Sequence, residues 1–173
     1  MNDATHRQLV LLRHAKAEDP EAAVDHERSL TDRGRADAEA AGKWLREQGF
    51  APDLVLCSTS ARTRETWAGV VEASGLGTVV EHDPRIYNAP VERLLTVVRE
   101  ADEDALAVVL VGHAPGVPDL AVELSGEGSE PEAREELAHG FPTCTLAVLD
   151  IDTPWRDVAP GSAVLRTVIT PRG

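Results

Sequence analysis

Long apolar runs, aromatic residues, cysteines and basic charge are all scarce in this sequence, and each shortage excludes something. No window approaches the ~20 apolar residues of a membrane-spanning helix, and the opening MNDATHRQ lacks the apolar core of a secretion signal. The two cysteines, Cys57 and Cys144, sit in or beside apolar runs and are too few for a disulfide framework. A cytoplasmic protein without membrane contact is expected. Seventeen Lys and Arg against 30 Asp and Glu give a formal charge of −13, which argues against nucleic acid or anionic lipid as partner. In so acidic a chain, any cluster of arginine and histidine has to be assembled locally against the average field. Phe, Trp and Tyr make up 3% of residues, so the core must be packed with Leu, Val and Ala.

A chain of 173 residues fits one domain, residues 1–173, that can bury roughly 70% of its unfolded surface. Short aliphatic runs alternate with helical patterns: LVLL at 9–12, DLVLC at 53–57, TVVEH at 78–82, ALAVVLV at 105–111, CTLAVLDI at 144–151 and AVLRTVI at 163–169. The first four are continuous, as strands buried on both faces would be. Helices are predicted over 32–48, with Thr31 as N-cap and Gly49 as terminator, and over about 60–73, 90–100 and 115–126. This alternation is the signature of an α/β fold with a mostly parallel sheet. The turn-rich DTPWRDVAPGS between the last two strands predicts an antiparallel strand at the edge, and GEGSEPEAREE at 126–136 reads as a mobile surface loop with a short helix.

In such sheets ligands bind beyond the carboxyl ends of the strands. After the first strand come Arg13 and His14; after the second, STSARTRET with Arg62 and Arg64; after the third, HDPRIYN; after the fourth, Gly112 and His113. A lone histidine at a strand end is ordinarily structural, but LLRHA and LVGHA repeat the placement on two strands, beside arginines. His6, His26, His82 and His139 fall in polar contexts and read as solvated. Arginine's fork of donors matches phosphate, and a helix opening after the second strand would add its free amides. Phosphate is the expected ligand.

Competing chemistries fit less well. A cysteine phosphatase needs an arginine six residues after its cysteine, and position 63 is threonine, so Cys57 reads as a strand end. GHAPG at 112–116 lacks the Lys-Ser/Thr of a nucleotide loop, and no histidine or carboxylate pair has metal-ligand spacing.

Together, Arg13-His14-Ala15, Ser58 to Thr66 and Gly112-His113 resemble the histidine phosphatase superfamily, with its phosphoglycerate mutase-like fold. The short chain, RHAK, LTDRG at 30–34 and RIYNA at 85–89 look most like its SixA-like phosphohistidine phosphatases of bacteria. The resemblance implies a three-layer α/β/α sandwich with a mostly parallel central sheet and an antiparallel edge strand. It also implies a phosphatase without metal or cofactor, acting on a phosphorylated protein (phosphohistidine) or a small phosphorylated substrate. Monomer is the plausible state. His14 would be the nucleophile, and Arg13, Arg62 and His113 would be catalytic and phosphate-binding. Larger members carry a proton-donating acid after the third strand, where this chain has Asn88. Glu18 and Asp19 are candidate substitutes, with loop carboxylates as their alternative reading, and Lys16 could attract an anionic substrate. A sugar phosphatase or mutase, or a phosphate-binding module without turnover, are the alternatives.

Overall fold

A computed structural model describes residues 5–21 and 23–173. Six strands form one sheet: β1 (Arg7–Arg13), β2 (Leu54–Cys57), β3 (Val79–His82), β4 (Ala107–Gly112), β5 (Leu146–Ile151) and β6 (Ala163–Ile169). Their order is β3-β2-β4-β1-β5-β6. The first four run parallel, while β5 lies antiparallel to β1 and β6 antiparallel to β5. Only β5 is therefore reversed, and the edge strand β6 runs in the same direction as the first four.

Alternation along β1 shows why LVLL is continuous. Leu9 and Leu11 face one apolar layer and Val10 and Leu12 the other, and all four are fully buried. One face is covered by α1 (Asp32–Glu47) and α2 (Ala61–Ser74), the other by α3 (Val91–Arg99) and α4 (Gly116–Leu124). The three layers follow. Thr31 caps α1 by accepting a hydrogen bond from the Gly34 amide at 3.0 Å. Gly34 permits the helix to start against the strand-end loop, because a Cβ there would lie 2.1 Å from the Lys16 carbonyl oxygen.

Two readings of the sequence differ from the structure. TVVEH is not buried on both faces: β3 is the sheet edge, and Val79 is 64% exposed. Its aliphatic residues reflect strand propensity more than burial. Most of the second half of GEGSEPEAREE belongs to a nine-residue helix, α5 (Pro131–His139), started by Pro131 and packed beside β6. The loop before it is fastened by Ser129, whose hydroxyl donates to Gly126 O at 2.8 Å and accepts from the Leu165 amide at 3.0 Å.

Candidate active site

Strand register brings the two LxxHA-like ends together. β1 and β4 are parallel neighbours with Arg13 opposite Gly112, and the His14 amide donates to Gly112 O at 3.0 Å. The histidine rings that follow are 5.4 Å apart. The floor is fixed from the other side by Cys144, in the left-handed region at φ 62°, whose amide donates to the carbonyls of both Arg13 (3.2 Å) and His14 (3.0 Å). From α2, Thr66 Oγ1 accepts from the Ala15 amide at 2.9 Å and donates to Arg62 O at 2.6 Å. The residue after His14 is thus tied to the helix that carries Arg62.

His14, Arg13, Arg62 and His113 all line one open cleft of about 370 Å³ at the carboxyl ends of the strands. His14 Nδ1 lies 2.7 Å from the Ala15 carbonyl oxygen, which can only accept, so Nδ1 carries the proton and Nε2 presents its lone pair. Burial first, and then the guanidinium groups of Arg62, Arg13 and Arg28, push the His14 pKa down to about 4. Burial, followed by the adjacent His14 and Arg62, pushes His113 down to about 3. Both rings are neutral at pH 7. His113 Nε2 sits 2.8 Å from Ser58 Oγ. With the serine as donor, Nδ1 of His113 becomes the N–H.

Among the described residues, the buried polar atoms without a protein partner include Arg13 Nε, Arg62 Nε and His113 Nδ1, and all three residues line this cleft. Each arginine is also anchored through Nη1: Arg13 Nη1 donates to Phe141 O at 2.8 Å, and Arg62 Nη1 to Asp25 O at 2.7 Å. Arg62 is 3% exposed, so its orientation is set by protein rather than by water. Arg64, two positions along α2, points to solvent and does not line the cleft. Cys57 is buried, and burial pushes its thiol up to about 12, consistent with a strand-end residue.

The loop between β1 and α1 contributes groups that sequence reasoning missed. Asp25 and Arg28 line the cleft; Glu18 and Asp19, the carboxylates singled out from the sequence, are exposed and do not. The Asp19 carboxylate instead accepts from the Glu21 amide at 3.1 Å, an ordinary turn contact. Asp25 accepts from Arg28 Nη2 at 2.8 Å, from Arg62 Nη2 at 3.2 Å and from the Tyr87 hydroxyl. These bonds, Tyr87 first and Arg28 next, hold its carboxyl well below the usual range, and the same contact raises Tyr87. His26, read as solvated, is half-buried, with Nε2 2.8 Å from Thr59 Oγ1 and its ring edge-on to Tyr87 at 4.9 Å. Asn88 does line the cleft, at φ 47°, and its Oδ1 lies 3.5 Å from Arg62 Nη2. Lys16 stands exposed at the rim. Arg13, Lys16, Arg28 and Arg62 against Asp25 leave a surplus of three positive charges along this cleft of an acidic protein. That surplus favours a phosphoryl anion. Among the described residues no group of three or more His, Cys, Asp or Glu could hold a metal ion.

Residues 9–94 match the family model of the histidine phosphatase superfamily, branch 1. The chain belongs to the histidine phosphatase superfamily. The SixA protein of Nakamurella multipartitia is 39% identical, with 96% of each chain covered and a TM-score of 0.83. That of Agrobacterium tumefaciens is 31% identical, covering 95% of this chain and 98% of the other, with a TM-score of 0.79. A Mycobacterium tuberculosis protein is 35% identical over 93% of this chain and 100% of its own length. These place this histidine phosphatase superfamily member in the SixA-like branch. The phosphoglycerate mutase-like α/β fold expected from the sequence is the one observed.

Proposed function

We propose that the chain is a phosphatase working through a phosphohistidine formed on His14, and that its substrate is phosphohistidine in a protein. The observation that carries this reading is that Arg13, Arg62 and His113 line one cleft with a neutral His14 whose Nε2 has no protein partner. Fixed donors of this kind stabilise phosphoryl charge without reorganising at the moment of reaction.

The chemistry divides into two displacements. In the first, the Nε2 lone pair of His14 bonds to phosphorus while the substrate's P–N bond breaks and its electron pair returns to the departing ring. The Ala15 carbonyl keeps the proton on Nδ1, so the phosphorylated His14 ring is cationic. In the second, water attacks phosphorus, the P–Nε2 bond breaks, and the pair returns to Nε2 as dihydrogen phosphate departs. No charge is left on the histidine. Arg13, Arg62 and His113 bind the equatorial oxygens in both steps.

A protein substrate is supported by the openness of the cleft among the described residues and by the SixA relatives. One of these, 24% identical and solved with tungstate, is named a protein histidine phosphatase. The test is turnover of a histidine-phosphorylated protein and of para-nitrophenyl phosphate by wild type and His14→Ala, with labelled phosphate trapped on the enzyme by acid-free quench. Loss of both turnover and label in the variant, with EDTA having no effect on wild type, is expected. Retained turnover in His14→Ala would sink the reading. Interconversion of phosphoglycerates by the pure wild type would replace it with the mutase reading.

A further inference from the structure

Asp25 is a carboxylate on the wall of a phosphate cleft, a place where anions repel. It is not an acid awaiting its proton. Its side chain is 45% exposed, it takes hydrogen bonds from Arg28, Arg62 and Tyr87, and it lies close enough to His113 to influence it electrostatically. Every donor holding it favours the ionised form. A group locked in that state cannot protonate a departing alkoxide.

Resting on the phosphatase reading above, we propose that Asp25 sets the leaving-group preference of the site. Its fixed negative charge favours a departing group that already carries its own proton, the cationic ring of a phosphorylated histidine, and disfavours departing oxyanions.

The balance of the first displacement shows why such a charge is useful. A phosphohistidine protonated on its second nitrogen is a cation, and when the P–N pair returns to it the product is a neutral imidazole. No proton moves in that step. What the enzyme has to do is keep the substrate ring protonated on arrival, and a carboxylate beside the cleft raises the ring's proton affinity. A phenolate or alkoxide departing past the same carboxylate gains negative charge next to negative charge. Asp25 thus brings to the cleft wall the opposite chemistry to the missing acid, and Asn88, at the position where an acid was sought, adds no charge. The charged and titratable groups facing Asp25 are Arg28 on its own loop, Arg62 on α2, Tyr87 beyond β3 and His113 after β4, with His26 beside it. Burial keeps His113 neutral at pH 7, so it adds no charge to this wall between pH 6 and 8.

The experiment measures kcat/KM of wild type, Asp25→Asn and Tyr87→Phe on a histidine-phosphorylated peptide and on para-nitrophenyl phosphate across pH 6 to 9. Asp25 sits on a surface-facing turn, so the asparagine variant should fold, which its thermal midpoint verifies. For Asp25→Asn the expected result is a loss on the phosphopeptide roughly tenfold larger than the loss on aryl phosphate, with the basic limb for the phosphopeptide moved to lower pH. Tyr87→Phe keeps the charge and should keep the wild-type ratio between the two substrates. Equal losses on both substrates in Asp25→Asn would show that Asp25 only holds Arg62 and would overturn the inference. Inactivity of wild type on both would overturn the phosphatase reading and the inference with it.

Discussion

Acidification should destabilise this protein through its two cleft histidines. The unfolded pKa of each ring is 6.5, and the folded values are about 4 for His14 and about 3 for His113. Below pH 6.5 the unfolded chain therefore binds protons that the folded chain refuses. Stability is fully present above that pH and falls as pH drops, by up to about 1.4 kcal/mol per unit per histidine, until the folded values are reached. At pH 5 the loss is about 2 kcal/mol for each ring and about 4 kcal/mol for the pair, a large share of the 5–15 kcal/mol typical of a domain. Asp25 also loses its contribution on acidification, but its folded pKa is lowered from 3.8, so its window lies below the range in question. Urea unfolding at pH 8 and pH 5 measures the effect, with His14→Gln/His113→Gln as the comparison. Wild type should lose about 4 kcal/mol more than the double variant between the two pH values, with similar m-values. Parallel pH dependences for the two proteins would refute the reasoning, because they would mean that neither ring is held neutral by the fold.

Ser58→Ala removes the partner of His113 Nε2 in a site where His113 is only 4% exposed. Catalysis should fall roughly tenfold and stability by about 1–3 kcal/mol, read from kcat on para-nitrophenyl phosphate and from urea midpoints, with nitrogen-15 imidazole shifts reporting the lost tautomer. Gly34→Val pushes a side chain into the Lys16 carbonyl, 2.1 Å from the Cβ position, and displaces the segment carrying His14. Its kcat should drop more than its melting temperature explains, seen by comparing activity at 15 °C with the fraction folded.

Much of this was legible in the sequence for a plain reason: a two-sided parallel sheet writes its strands as uninterrupted aliphatic runs, and the residue after each run is where chemistry can occur. Arg13, His14, Arg62 and His113 could be picked out on that rule. Arg64 could not be separated from Arg62 by type, only by its angular place on α2, which turns one side chain into the cleft and the other to solvent. The neighbourhood of His14 and His113 depended on β1 and β4 being adjacent, a fact of strand order that no local pattern encodes. Asp25 and Arg28 were hidden because the β1–α1 loop has no period, and its acidic residues look alike until the chain folds back over Arg62 and Tyr87. Glu18 and Asp19 were chosen for their nearness in sequence to His14; the backbone carries them outward. The edge strand β3 misled in the opposite sense, since valines serve exposed strands as well as buried ones.

The rung that pairs Arg13 with Gly112 has a consequence for how this centre could change over time. Because His14 and His113 leave adjacent strands at the same level of a hydrogen-bonded ladder, their spacing is digital: a slip moves it by a whole residue, about 3.3 Å, and turns side chains to the opposite face. Small drifts in the surrounding loops are not transmitted to it. Loops such as the one bearing Asp25 are then free to be rewritten, altering which phosphoryl compounds enter and leave, while the pair of histidines either persists whole or is lost at a stroke.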